Sequence, residues 1–317
     1  MNKQTTIDFI IPVFNEEDSI KELFERISSQ MKDIGETNFK VFFINDGSTD
    51  LSWSRIKDLA DIHQDNCRGI NLRRNMGKAF ALNIGFTESE APIVFTMDAD
   101  LQDDPAEIPN FLKKIREGFD LVSGWKSIRN DPIDKTLPSK VFNKMITVMT
   151  GLELHDFNCG FKCYRKEVSK SLELYGELHR FTPVLADYYG FKIAEISIKH
   201  HARKHGKSKY GFERFMRGFI DLISVVSFTK YSDRPAHLFG GIGILSGVFG
   251  FTILGYLFLL KVLTGAMIGN RPLLTLGVLL SILSIQLISL GIIAELITRR
   301  ARIKVVDQTF ISEVTGE

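Results

Sequence analysis

The segment Ile93–Pro105, IVFTMDADLQDDP, decides how the chain is read. An apolar run stops abruptly at Asp98, Ala99, Asp100, Leu101 and Gln102, which predicts a buried strand ending in a cluster of oxygen ligands. Side chains at i and i+2 of an extended backbone share one side. Asp98 and Asp100 therefore converge on one point, with Gln102 a third oxygen in the same register. Hard divalent cations take such ligands, and Mg²⁺ or Mn²⁺ held this way commonly holds substrate phosphates too. By itself a D-x-D pair leaves a solvated acidic turn as the alternative.

Outward from this segment, strands and helices alternate. The apolar run Ile7–Val13 leads into Asn15, Glu16, Glu17 and Asp18, and then into the helical pattern Ile20, Leu23, Phe24, Ile27, with Asp18 as the expected cap. A second run, Val41–Ile44, ends in NDGSTD (Asn45–Asp50) before the amphipathic segment Leu51–His63. Gly69–Leu72, Gly77–Phe86, the strand ending at Asp98, Ala106–Arg116 and Leu121–Gly124 continue the alternation. The fold class is α/β with a mainly parallel sheet. Ligands of such sheets sit beyond the carboxyl ends of the strands, where Pro12–Glu16, Asp46–Ser48 and Asp98–Gln102 all fall. Neither G-x-G-x-x-G nor G-x-x-x-x-G-K-S/T follows the first strand, which argues against a dinucleotide cofactor and against P-loop hydrolysis.

The chain has 317 residues, 44% of them hydrophobic, and a net charge of +2. The average hides an asymmetry: Leu238–Leu260 and Leu273–Ala294 contain no charged residue. Each run is about 22 residues, roughly 33 Å as a helix and enough to cross a ~30 Å hydrocarbon core. Both read as transmembrane helices, against the alternative of a buried hairpin in a soluble protein. Lys230 and Arg234 flank one end, and Arg299, Arg300, Arg302 and Lys304 the other, which places both ends in the cytoplasm. The N-terminus has no signal-peptide apolar region, so residues 1–230 are expected to stay cytoplasmic. Three cysteines, Cys67, Cys159 and Cys163, suit a reducing compartment. His155, Cys159 and Cys163 are spaced like metal ligands but have no fourth partner, so ordinary packing is the reading.

Seven pieces then carry a resemblance: IPVFNEEDSI from Ile11, INDGSTD from Ile44, NMGKAFALNIGF from Asn75, MDADLQDDPAEIP from Met97, DFNCGF from Asp156, GELHRFTPVLA from Gly176 and RKHGKSKYG from Arg203. In that order they resemble membrane-bound members of glycosyltransferase family 2, the dolichyl-phosphate mannose synthases and bacterial polyprenyl-phosphate (bactoprenol) glucosyltransferases. The two C-terminal apolar runs resemble the bactoprenol subgroup. The implied organisation is a nucleotide-sugar-binding domain of the GT-A type over 1–210, an interfacial amphipathic helix over 211–234, two transmembrane helices over 235–298 and a cytoplasmic tail over 299–317.

The resemblance implies that Pro12, Val13, Phe14, Glu16 and Asp46 hold the nucleotide. A carboxylate such as Asp46 suits the N–H of a uracil edge, and a turn-capping aspartate is the alternative. Lys78 reaches the base or diphosphate, or is a solvated helix lysine. Asp98, Ala99, Asp100 and Gln102 correspond to the metal and diphosphate site, with Asp100 and Gln102 as direct ligands and Asp98 on metal, sugar or both. Lys126, Arg129 and Lys135 in one loop, and Arg203, Lys207 and Lys209 in another, suit an anionic phosphate on a lipid, or else a solvated basic face. The family usually has arginine at the positions of Lys126 and Lys135, and lysine lacks its bidentate fork. Arg129, Ser139 and Asn143 keep the pattern. Asp156 stands at the position proposed as general base, and it acts as base or orients a substrate. Glu177, His179 and Arg180 are sugar or acceptor contacts, or simply a helix start.

Phe212, Phe215, Met216, Phe219, Ile223 and Val226 recur at helical spacing, with Glu213, Arg214, Arg217 and Asp221 around the other side, as in a helix lying along the membrane interface or packed on the catalytic domain or a second subunit. The implied activity is transfer of a hexose, glucose from UDP-glucose by the subgroup resemblance, to polyprenyl phosphate. It would run with inversion, with Mg²⁺ or Mn²⁺, on the cytoplasmic face of the plasma membrane. A homo-oligomer and no nucleic-acid partner are expected. Two other readings are a processive polysaccharide synthase, whose Q-x-x-R-W motif does not occur here, and a non-enzymatic membrane-tethered sugar-nucleotide sensor or transport subunit.

Overall fold

The computed structural model describes residues 6–126, 143–199, 201, 212–231 and 234–302. They fall into two compact units that divide at Val225/Val226.

The first unit is built on one seven-stranded sheet. The strands are β1 (Ile7–Val13), β2 (Phe39–Asn45), β3 (Cys67–Asn71), β4 (Ile93–Thr96), β5 (Leu121–Lys126), β6 (Lys162–Arg165) and β7 (Ile193–Ile198), in the order β3-β2-β1-β4-β6-β5-β7. β1 pairs parallel with β2 and β4, and β2 with β3. β6 runs antiparallel to both β4 and β5, while β5 and β7 are parallel. Six strands thus point one way and β6 alone is reversed, so the start of β6 meets the carboxyl ends of the others: Lys162 pairs with Thr96. This reversed strand is absent from the sequence reading.

Helices α1 (Ile20–Asp33), α2 (Ser52–Ile62), α3 (Lys78–Glu88) and α4 (Ile108–Arg116) connect the strands. Their faces follow from the two-residue period of the strands. Phe9, Ile11 and Val13 of β1 pack with Ile20, Leu23 and Ile27 of α1, Ile56 of α2 and Phe111 of α4. Ile10, pointing the other way, meets α3 so closely that a Cβ on Gly85 would lie 2.2 Å from its Cγ2. Phe95 stacks on Phe9 at 5.2 Å, and Phe111 lies 4.4 Å from Phe161. Aromatic rings therefore fill the space under the strand ends that form the crevice.

Helix α5 (143–150) is followed by α6 (Lys166–Ser171) and α7 (Thr182–Tyr188). α8 (Phe212–Lys230) runs through the junction between the units. Of the expected apolar face of α8, Val226 is buried and Ile223 is 46% exposed; Leu222 and Val225 beside it are buried, and Asp221, expected on the opposite side, accepts the Glu177 N–H at 3.2 Å. Asp18 does not cap α1: the cap position is Ser19, whose hydroxyl donates to the Glu16 carbonyl at 3.0 Å.

The second unit contains α9 (Pro235–Thr264) and α10 (Pro272–Arg302). The left-handed Gly265 (φ 69°) ends α9. By length and composition, Pro235–Thr264 and Pro272–Thr298 are long and apolar enough to cross a membrane.

Candidate active site

Because β1 lies between β2 and β4, Val13 pairs with Asn45 and Ile10 with Thr96, so the three strands end towards the same end of the sheet, β4 three residues short of the others. The loops after β1 and β2 are laced together. The Asn15 N–H donates to Ser48 Oγ at 2.9 Å, the Thr49 N–H to Asn15 Oδ1 at 2.8 Å, the Glu16 N–H to Ser52 Oγ at 2.9 Å and the Leu51 N–H to Glu17 Oε2 at 2.9 Å. Val13 and Ala99 point into the core, so these two expected contacts offer only backbone to the crevice. The Val13 carbonyl accepts the Asp46 N–H at 2.8 Å.

Asp46 accepts the Met76 N–H at 2.7 Å and the Gly77 N–H at 2.9 Å, one on each carboxylate oxygen. It thereby fastens the segment before α3 to the end of β2. Burial pushes its carboxyl up against the opposing pull of those two amides. Gly47 (φ 66°) allows the same turn to lie against Arg74 and Asn75, where a Cβ would come within 2.4 Å of the Arg74 backbone.

At the end of β4 the Lys78 ammonium pairs with Asp98 Oδ1. Burial alone would push the Asp98 carboxyl up, but Lys78, with Lys126 and His179 behind it, outweighs burial and holds it below the usual carboxylate range. Gly160 of DFNCGF lies against this carboxylate: a Cβ there would be 2.7 Å from both oxygens. Asp100 is buried, and its Oδ1 accepts the Gln102 N–H at 3.2 Å. Leu101 between them has φ 60° and Asn15 has φ 56°, the two non-glycine residues with positive φ among those described. Left-handed backbone costs an L-residue roughly 1–2 kcal/mol, and both instances lie in crevice loops. The Gln102 carboxamide donates to the His201 carbonyl at 3.4 Å, and the His201 N–H returns a bond to the Gln102 carbonyl at 2.9 Å.

Lys126, which as a lysine makes a poor phosphate clamp on the sequence reading, ends β5 and pairs its ammonium with Asp103 at 3.2 Å, both side chains being largely buried. Burial works against that charge, yet Asp103, Asp98 and Asp156 raise the Lys126 ammonium above its ordinary value. Asp103 is pushed up by burial first and by Asp98 and Asp100 next.

Asp156 is buried and accepts the Asn158 N–H at 3.0 Å. Its own N–H and that of His155 donate to Glu195 of β7, which also meets His155 Nδ1 at 2.7 Å. His155 stacks on Trp125 with centroids 4.1 Å apart. Lys162, buried beneath this loop, donates to the Phe157 carbonyl at 3.4 Å and to the Cys159 carbonyl, while Thr96 Oγ1 donates to the Gly160 carbonyl at 2.8 Å. Desolvation pulls the Lys162 ammonium down to about 8. Glu177 Oε2 takes Arg180 Nη2 at 2.9 Å, with His179 at 3.8 Å. Asn143 donates to the His155 carbonyl at 2.7 Å. Cys159 and Cys163 are buried free thiols.

Arg129, Lys135, Ser139, Arg203, Lys207 and Lys209 lie outside the described residues. The sequence reading missed Gly160, Lys162, Asp103 and Glu195. Gly160 and Asp103 stood in the quoted motifs DFNCGF and MDADLQDDPAEIP; Lys162 and Glu195 stood in none.

Among the described residues no group of three or more His, Cys, Asp or Glu side chains is arranged to hold a metal ion. Mg²⁺ is typically bound through one or two carboxylates plus substrate phosphate oxygens and water, and the hard oxygens of Asp98 and Asp100 fit that donor set.

The chain is 37% identical over 297 residues to a dodecaprenyl-phosphate galacturonate synthase of Rhizobium johnstonii, covering 92% of this chain and 88% of that protein. It is 35% identical over 303 residues to an undecaprenyl-phosphate 4-deoxy-4-formamido-L-arabinose transferase of Shewanella sediminis, with 94% and 90% covered. Among solved structures, glucosyl-3-phosphoglycerate synthase of Mycobacterium tuberculosis, in complex with Mn²⁺, UDP-glucose and phosphoglyceric acid, superposes with a TM-score of 0.55 at 19% identity. The match covers 70% of this chain and 80% of that one, and shows a shared fold. Residues 8–172, just over half of the chain, match glycosyl transferase family 2, and the chain belongs to that family.

Proposed function

We propose that this protein transfers a sugar from a UDP-sugar to polyprenyl phosphate at the cytoplasmic face of the plasma membrane, inverting the anomeric configuration and releasing UDP. The observation that carries the reading is the acidic sheet edge itself. Asp98 is held ionised by Lys78 and seated on Gly160, beside Asp100, at the strand ends where open α/β sheets bind ligands. Family membership supports glycosyl transfer. The named activities of the relatives support a polyprenyl-phosphate acceptor, and the two apolar helices with their basic flanks support a membrane anchor with both ends cytoplasmic.

Asp98 and Asp100 would hold Mg²⁺ or Mn²⁺, which supplies positive charge for the diphosphate as it departs. Asp46 fixes the loop before α3 and so sets where Lys78 stands. The acceptor phosphate oxygen attacks the anomeric carbon as the carbon–oxygen bond to UDP breaks. A phosphate monoester has a second pKa near ~6, so it is already mostly ionised at neutral pH and needs no strong base. Asp156 then orients the acceptor or a sugar hydroxyl.

Glucose is the donor sugar implied by the sequence resemblance, whereas the relatives' names specify galacturonate and formamidoarabinose. The test uses purified full-length protein, Mg²⁺ or Mn²⁺, undecaprenyl phosphate and radiolabelled UDP-glucose, UDP-galacturonate and UDP-4-deoxy-4-formamido-L-arabinose. Label is expected in an organic-extractable, acid-labile lipid. No labelled lipid from any of these, or from a wider donor panel, overturns the assignment.

A further inference from the structure

Lys162 is the first residue of β6, side by side with Thr96 of β4 and Ser123 of β5. Its side chain is buried, and among the described residues it forms no ion pair. The ammonium donates instead to the carbonyls of Phe157 and Cys159, the two that flank Asn158. Burying a cation against neutral oxygens is costly. Desolvation is the largest influence on it; Lys78 works in the same direction, and Cys159, Asp156 and Asp98 oppose it. A methionine would fill the same space without that cost, so the charge is explained by what it holds and not by stability.

What it holds is the loop 156–160. The two ends of that loop are fastened by other groups: the Asp156 N–H donates to Glu195 at 2.9 Å, and the Gly160 carbonyl accepts from Thr96 Oγ1 at 2.8 Å. One end presents Asp156, and the other presents Gly160, whose bare Cα admits the Asp98 carboxylate. The ammonium of Lys162 gathers the backbone between them.

We propose that Lys162 is a positioning residue for the transfer reaction: its ammonium draws the Phe157 and Cys159 carbonyls together and so sets how Asp156 and Asp98 stand to one another across the crevice. The inference rests on the transferase reading given above. Hydrogen bonds from a charged donor are roughly twice as strong as neutral ones, so an amine at residue 162 holds the loop less firmly than an ammonium does. Desolvation brings the loss of that proton down to about 8. The transfer geometry therefore slackens around the same pH, a mark that a side chain serving only to fill the core would not leave on the rate.

The test uses the full-length protein with undecaprenyl phosphate, Mg²⁺ and whichever UDP-sugar labels the lipid, with kcat and the donor KM measured from pH 7 to 9 and thermal unfolding followed at each pH. Lys162→Met is expected to lose about a hundredfold in kcat, the cost of an ångström-scale misplacement, with the donor KM within about twofold of wild type. The donor kcat/KM, which reports the free enzyme, should fall about tenfold from pH 7 to 9 in wild type and stay level in Lys162→Met. Lys162→Arg, charged throughout, should keep kcat within about tenfold of wild type at pH 7 and show no alkaline fall; where the longer side chain does not fit, the comparison with Lys162→Met decides. Wild-type kcat in Lys162→Met, a wild-type profile level from pH 7 to 9, or a fall of equal size in both proteins overturns the role. Lys162→Met that is unfolded at the assay temperature overturns it in favour of a purely structural lysine. Wild type that labels no lipid from any donor overturns the transferase reading, and this role with it.

Discussion

Asp98 rests against the bare Cα of Gly160, with both carboxylate oxygens 2.7 Å from where a Cβ would stand. Real Cβ atoms do not approach oxygen that closely, so the smallest possible side chain at residue 160 must move this carboxylate. Gly160→Ala should fold, since Asp98 is free to swing away. Turnover should drop about a hundredfold, the effect of an ångström-scale misplacement in a reacting site. Assays of labelled lipid beside thermal unfolding check this, and wild-type turnover in Gly160→Ala would show that the contact is irrelevant to catalysis.

Asp100 is buried at the crevice with a backbone amide on one oxygen. Asp100→Asn keeps that shape and removes the charge. If Asp100 holds a cation on the departing diphosphate, turnover should fall by about 10²–10³, and chelator should abolish wild-type activity. Undiminished turnover in chelator would remove the metal from the mechanism.

Lys126 and Asp103 form a pair with little solvent access. Removing one partner of a buried pair typically costs about 3–5 kcal/mol. Lys126→Met is therefore expected to lower the unfolding free energy by about that amount, and Lys126→Met combined with Asp103→Asn to recover most of it. Denaturant unfolding of the detergent-solubilised protein gives the values. A variant with unchanged stability and a raised KM for the lipid would instead give Lys126 a role in binding the lipid phosphate.

Lys162 is buried with its ammonium lowered to about 8 from 10.5. Between those values the unfolded chain binds more protons at this residue than the folded one, so the lysine's contribution to stability rises with pH across that window. Below about 8 the full desolvation penalty is present. Relative to Lys162→Met, wild type should gain up to about 3 kcal/mol from pH 7.5 to 10.5. Parallel unfolding curves at four pH values test this, and a constant difference between the two proteins would mean that Lys162 does not titrate in that range.

By itself the sequence determined the approximate strand ends, the acidic cluster that follows the fourth strand and the two apolar helices. Each is a local pattern: an uncharged stretch longer than a bilayer is thick, or a run of apolar residues cut off by polar ones after Val13, Ile44 and Met97, although β4 itself ends two residues before Asp98, at Thr96. Tertiary structure alone decided what meets those ends. The reversed β6 brings Gly160 and Lys162 to the same edge as Asp98. The Lys126 ammonium turns inward to Asp103, and Glu195 of β7 holds the Asp156 loop from the far side of the sheet. Asp98 and Gly160 are 62 residues apart in the chain, and no periodicity links them. Their contact exists because a parallel sheet collects its strand ends at one edge, where burial and unpaired charge, rather than local propensity, choose the partners.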